Sequence, residues 1–108
     1  MSGYLEIHWT TQLKEDAVNI VHDLLDAGLI GCAQILPPIE SIYLWKGAVV
    51  TDQEVKVLLK ALPENFSSIC DYICKIGKED VPEVSAFATV ACNPEYLSWL
   101  QELSRNSR

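Results

Sequence analysis

Polar and apolar residues alternate through "YLEIHW", with Tyr4, Glu6 and His8 set against Leu5, Ile7 and Trp9, the period-two pattern of a half-buried strand. Behind it Thr10 and Thr11 offer hydroxyls to the unpaired amides of a helix start. From Leu13 the period changes: Ala17, Ile20, Val21, Leu24 and Leu25 recur at steps of three and four until Gly28 offers a stop. The spacing predicts an amphipathic helix of about four turns. "CAQIL" then reads as a second strand, interrupted by Pro37 and Pro38, which cannot donate to a sheet ladder and mark an edge or a bulge. Extended chain resumes through "IESIYLW", and Lys46-Gly47 sits where a hairpin turn is wanted. "AVVTDQEVKVLLKAL" follows, with Val55, Val57, Leu59 and Ala61 opposed to Glu54, Lys56, Leu58 and Lys60. Each arm of this hairpin comes to roughly a dozen residues, about twice the usual strand.

Pro63 closes the hairpin, and "ENFSSICDYICKI" places Phe66, Ile69, Cys70 and Ile73 on one helical face. "VSAFATVA" is read as the next strand. Asn93-Pro94-Glu95 then supplies an N-cap, a proline for the first helical position and an acid for the positive end of the dipole, opening a closing helix through "EYLSWLQEL". Strand, helix, strand, strand, helix, strand, short helix is the order of two crossover units joined by a hairpin. It describes an α+β fold, a ferredoxin-like βαββαβ sandwich with a long hairpin between its second and third strands and a short C-terminal helix. No repeat, low-complexity tract or linker divides the 108 residues, so they are expected to form one domain, its body running from Gly3 to Leu103 with "SRNSR" as a frayed tail.

Composition agrees with a folded chain: 49% of residues are hydrophobic and 21% charged. The net charge is −7 and both arginines, Arg105 and Arg108, fall at the very end, so the body holds no arginine clamp for phosphate. Nucleic acid and acidic membrane surfaces, which need clustered cations, are therefore poor partners. "MSGYLEIHW" is too short and too polar for a secretory leader. Apolar runs such as "VKVLLKAL" are broken by lysine well short of the ~20 residues of a membrane span. Cys32, Cys70, Cys74 and Cys92 lack the density of a disulfide scaffold, and the expected setting is the cytoplasm, with reduced thiols.

Candidate chemistry is sparse. Cys70 and Cys74, four apart on one helix, could hold a soft metal together with outside ligands; the plainer reading makes at least Cys70 a small core residue beside Ile69 and Ile73. His8 and His22 are the only imidazoles, and no third group is placed by the sequence to orient either ring. No G-x-S-x-G turn and no glycine-rich phosphate loop occurs. "GKEDVPEV" gathers Glu79, Asp80 and Glu83 at a turn before a strand. Hard cations take such oxygens, yet a calcium loop supplies more of them in a set order, and a solvated turn is the alternative. Tyr43, Trp45 and Trp99 are large side chains that a small core would absorb. A tryptophan at the end of an overlong hairpin would instead stay exposed in a monomer, and an exposed apolar arm signals a partner.

"CAQILPPIESIYLWKGAVVTDQEVKVLLKA" resembles the hairpin segment of the CutA divalent-cation tolerance proteins: a cysteine-alanine pair, a proline after "IL", an "SIY-W-G" run and an acidic "EV". "VPEV" and "YLSWL" are similar to the later "PE" and "YL-W" signatures of that family, and the likeness extends from Leu5 to Leu100. The resemblance implies a homotrimer whose long hairpins pair between subunits, much as in the PII signalling proteins, with Tyr43 and Trp45 at the trimer interface. It also implies a response to divalent metal ions, copper among them, and no enzymatic activity. Copper-linked members carry a cysteine at the end of the first strand and a histidine in an H-P-Y segment. Trp9 stands in the first place here and Ile76-Gly77-Lys78-Glu79 in the second, which leaves Glu83 as the one candidate metal ligand of a degenerate site. Any divalent cation or small ligand would lie in a cleft between subunits. A PII-like small-molecule sensor and a trimeric interaction scaffold are the alternatives. An acylphosphatase on the same fold would want an arginine after the first strand, where Trp9-Thr10-Thr11-Gln12 offers none.

Overall fold

The structure, a computed structural model, describes residues 3–106, with side chains as far as Leu103. Strand β1 (Leu5–Thr11) buries Ile7, Trp9 and Thr11 on one face and half-exposes Glu6, His8 and Thr10 on the other. The alternation thus runs two residues beyond "YLEIHW", and Thr10 and Thr11 belong to the strand rather than to a helix cap. Helix α1 (Lys14–Asp26) starts from an extended Leu13 with no side-chain cap and lays Ala17, Ile20, Val21 and Leu24 on the sheet. It ends as the sequence implies. Gly28 adopts φ 73°, its amide reaches the Leu25 carbonyl and the Leu29 amide reaches that of Leu24, the paired bonds of a left-handed cap.

The remaining elements are β2 (Cys32–Ile35), β3 (Ile39–Trp45), β4 (Ala48–Ala61), a 3-10 turn (Pro63–Asn65), α2 (Phe66–Ile76), β5 (Val84–Ala88) and α3 (Pro94–Asn106). The sheet order is β2-β4-β1-β5, every neighbouring pair antiparallel, with β3 paired to β4 beyond it. This is the ferredoxin-like α+β arrangement that the element order implies. Pro37 and Pro38 divide the first hairpin arm into β2 and β3, whereas the second arm is a single strand of 14 residues. Lys46 and Gly47 form the two-residue turn, both with positive φ (52° and 83°), which matches the twist of the strands they join.

The long β4 does two jobs. Its inner half, residues 55–61, lies between β1 and β2 and buries Val55, Val57, Leu59 and Ala61. Its outer half, residues 48–54, pairs only with β3. There Ile42, Leu44 and Val49 are 64%, 74% and 71% exposed, so this chain's own core does not cover the arm. The described chain is correspondingly elongated, 45 × 27 × 23 Å.

The core lies between the sheet and α1 and α2, with Ile7, Trp9, Leu24, Val57, Leu59, Ile69 and Ile73 at its centre. Complete burial of side chains of this kind stabilises by about 1.5–3 kcal/mol each. Helix α3 closes one end: Leu100 is buried so tightly against Gly31 that a Cβ there would lie 2.3 Å from Leu100 Cδ1. Two boundaries differ from expectation. Strand β5 stops at Ala88, three residues early; at Thr89 the amide still donates to the Tyr4 carbonyl, but the side chain joins the pairing. Its hydroxyl donates to the Tyr4 carbonyl (2.9 Å) and accepts from the Tyr4 amide (2.7 Å). Helix α3 continues through Asn106, so residues 104–106 are helical rather than frayed, while Ser107 and Arg108 lie outside the described residues. Among the described residues no helix is long and apolar enough to cross a membrane.

Candidate functional site

A cleft of about 740 Å³ opens between the hairpin and the segment that leads from α2 into β5. One wall is β3, with Tyr43, Leu44 and Trp45; the other is residues 78–83, with the end of β1 between them. Asp16, Asp52, Glu54, Glu79, Asp80 and Glu83 line it against only Lys56 and Lys78, so the cleft favours cations over anions.

The acidic trio of "GKEDVPEV" does not act as a unit. Glu79 folds back to the end of β1, where its Oε2 accepts a hydrogen bond from the Thr11 hydroxyl at 2.9 Å and its Oε1 is buried without a partner. Asp80 is exposed. Glu83 is also exposed and accepts a hydrogen bond on Oε2 from the Ser85 hydroxyl at 2.8 Å. Beside them, Lys78 Nζ lies 3.3 Å from Asp16 Oδ1. Among the described residues no three His, Cys, Asp or Glu side chains gather as a metal cluster. Trp9, which stands where the family likeness would place a cysteine, is 1% exposed in the helix-facing core, its indole N–H unpaired.

Tyr43 and Trp45 stand on the hairpin wall, 40% and 36% exposed. The Tyr43 hydroxyl donates to Asp52, and the carboxylate beside it pushes the phenol above its ordinary range. Lys46 Nζ sits 5.7 Å from the centre of the Trp45 ring. Trp99 is 44% exposed and packs beside Tyr96, with ring centres 5.4 Å apart.

A polar constellation lies on the sheet face opposite the core helices. Glu6 Oε1 accepts from Lys60 Nζ at 2.5 Å and Glu6 Oε2 lies 2.9 Å from His8 Nε2, with the His8 ring 4.5 Å from Phe87. Lys60, then His8, holds the Glu6 carboxyl below the usual carboxylate range. Glu6, on the same strand face as His8, is thus its orienting partner, and Lys60 is the third group that the sequence did not place. The alternation in "YLEIHW" and "EVKVLLKA" places these residues on faces, but the pairing of Glu6 with Lys60 needs the register of β1 on β4. His22 is exposed on α1.

The thiols fall into two places. Cys70 is half-buried and Cys74 exposed on α2; burial first, then the Cys74 thiol, pushes the Cys70 thiol up. Cys32 and Cys92 lie near Tyr96, whose phenol burial raises to about 12, with Cys32 the next cause.

Comparison with known proteins fits this geometry. The family described as "CutA1 divalent ion tolerance protein" matches residues 5–103. The divalent-cation tolerance protein CutA of Thermus thermophilus is 36% identical over 93 residues, which span 86% of this chain and 90% of that one. The chloroplastic protein CutA 1 of Oryza sativa is 31% identical over 101 residues, 94% of this chain and 57% of that relative's length. The solved structure of the periplasmic divalent cation tolerance protein CutA from Archaeoglobus fulgidus superposes with a TM-score of 0.91 at 26% identity, covering 94% of this chain and 98% of that one.

Proposed function

Because the chain belongs to the CutA1 divalent ion tolerance family, we propose that it serves divalent-cation tolerance as a non-enzymatic homotrimer in the cytoplasm. In this reading the 108 residues act as one domain, and a divalent cation or small ligand is held at clefts between subunits. The observation that carries it is the outer half of the hairpin. Residues 39–45 and 48–54 form a two-stranded ribbon whose Ile42, Leu44 and Val49 are mostly exposed and whose outer edges have no strand beside them among the described residues. A two-stranded ribbon alone is marginal in water, and exposed strand edges invite mispairing. Packing each ribbon against neighbouring copies covers Tyr43 and Trp45 and removes those edges; the number three comes from the family likeness.

The same assembly bears on metal. Glu83 is a single exposed carboxylate, and copper sites need imidazole or thiolate beside it. The cleft therefore suits weak binding of hard or borderline divalent cations, with Glu83 as one ligand. Sedimentation should return about three times the chain mass of 12.1 kDa, and Leu44→Lys with Trp45→Ala should shift it toward one. A wild-type monomer overturns the assembly. Calorimetric titration of the apo protein with Mg²⁺, Zn²⁺ and Cu²⁺ should show weak uptake that Glu83→Ala diminishes; unchanged uptake removes Glu83 from the site.

A further inference from the structure

We propose that Cys70 and Cys74 form a two-coordinate site for a soft monovalent metal ion, of which Cu(I) is the probe. Both belong to α2, one helical turn apart, so their side chains leave the same stripe with Cβ atoms about 5–6 Å apart. Two metal–thiolate bonds of about 2.3 Å each, the length found for a d¹⁰ ion such as zinc, span roughly 4.6 Å and fit between those positions without unwinding the helix.

The donor count selects the metal. Zinc wants four ligands in a tetrahedron, and among the described residues no third Cys, His, Asp or Glu joins this pair in a metal cluster. Soft thiolates favour Cu(I), which is satisfied by two of them. Access also suits it. Cys74 is exposed, so the ion can enter, while Cys70 is half-buried between Ile69 and Asp71 in sequence, next to the buried side chains of Ile69 and Ile73. Binding replaces one proton on each sulfur by a bond to the metal: one Cu(I) enters, two protons leave to solvent, and no electron is transferred. The resulting complex carries one negative charge; Lys75 in the last turn of the helix offsets it, and Asp71 beside Cys70 opposes it. Neither cysteine lines the hairpin cleft, so this site is distinct from the one proposed there.

Anaerobic titration of the reduced full-length protein with Cu(I), in competition with a chromophoric Cu(I) chelator, tests this. The expected result is one Cu(I) per chain, accompanied by thiolate-to-copper charge-transfer absorption in the ultraviolet. Cys74→Ser, at an exposed position, should keep the wild-type circular dichroism and weaken uptake at least tenfold, and Cys70→Ala should do the same. The double variant Cys32→Ser/Cys92→Ser should retain wild-type uptake. Undiminished binding in Cys74→Ser, or its loss in the Cys32/Cys92 variant, overturns the site. Stoichiometric Zn²⁺ uptake of comparable strength overturns the two-coordinate assignment.

Discussion

The Thr11 hydroxyl donates to Glu79 Oε2 at 2.9 Å, joining residues 68 apart in sequence and fastening the approach to β5 onto the end of β1. Thr11 is 2% exposed, and the other Glu79 oxygen is buried with no partner, so the carboxylate relies on this bond. Thr11→Val keeps the shape and removes the donor. It should cost about 1–3 kcal/mol, read as a lower urea midpoint with faster amide exchange in residues 77–83, and Thr11→Ser should recover most of the loss. An unchanged midpoint for Thr11→Val would mean that the bond contributes nothing.

The Glu6 carboxyl is depressed by Lys60 first and His8 second. A carboxylate with a lowered folded pKa binds protons less readily folded than unfolded, so its contribution is present above the unfolded value, near 4.5, and lost as pH falls through the lower folded value. Stability measured by urea unfolding should therefore decline more steeply below about pH 4.5 in the wild type than in Glu6→Gln. Parallel pH profiles for the two proteins would contradict this.

At the hairpin tip, Lys46 holds φ 52° and Gly47 φ 83°. Nothing lies within 4 Å of a Cβ built on Gly47, so the cost of Gly47→Ala is one of backbone conformation alone, about 1–2 kcal/mol. Lys46→Asn should stabilise by a few tenths to about 1 kcal/mol, since asparagine accepts the left-handed region more readily than lysine. Equilibrium unfolding of the two variants should shift in opposite directions; a shift of the same sign would contradict the turn assignment.

Local features were legible wherever one residue dictates its own backbone. Gly28 stops α1 and Lys46-Gly47 turns the hairpin through glycine's freedom at positive φ, while Pro37-Pro38 divides the hairpin arm and Pro94 opens α3 through a fixed φ and a missing donor. Thr10 and Thr11 were not legible, because a threonine before a helix looks alike whether it caps that helix or ends a strand. Their pairing with Lys56 and Val55 of β4 decides it. The acids of "GKEDVPEV" are neighbours in the chain but bond to different elements: Glu79 is drawn to Thr11, and Glu83 stays with Ser85.

By itself the sequence determined the elements, the faces they bury, the overlong hairpin and the family likeness, because side-chain periods of two and 3.6 and the turn residues act over a few positions. Only the tertiary structure decided that Glu6 faces Lys60 and that Glu79 leaves the acidic turn. The physical reason is register. A period of two assigns each strand residue to a face and says nothing about its partner, which is settled when strands far apart in sequence pair and their side chains meet.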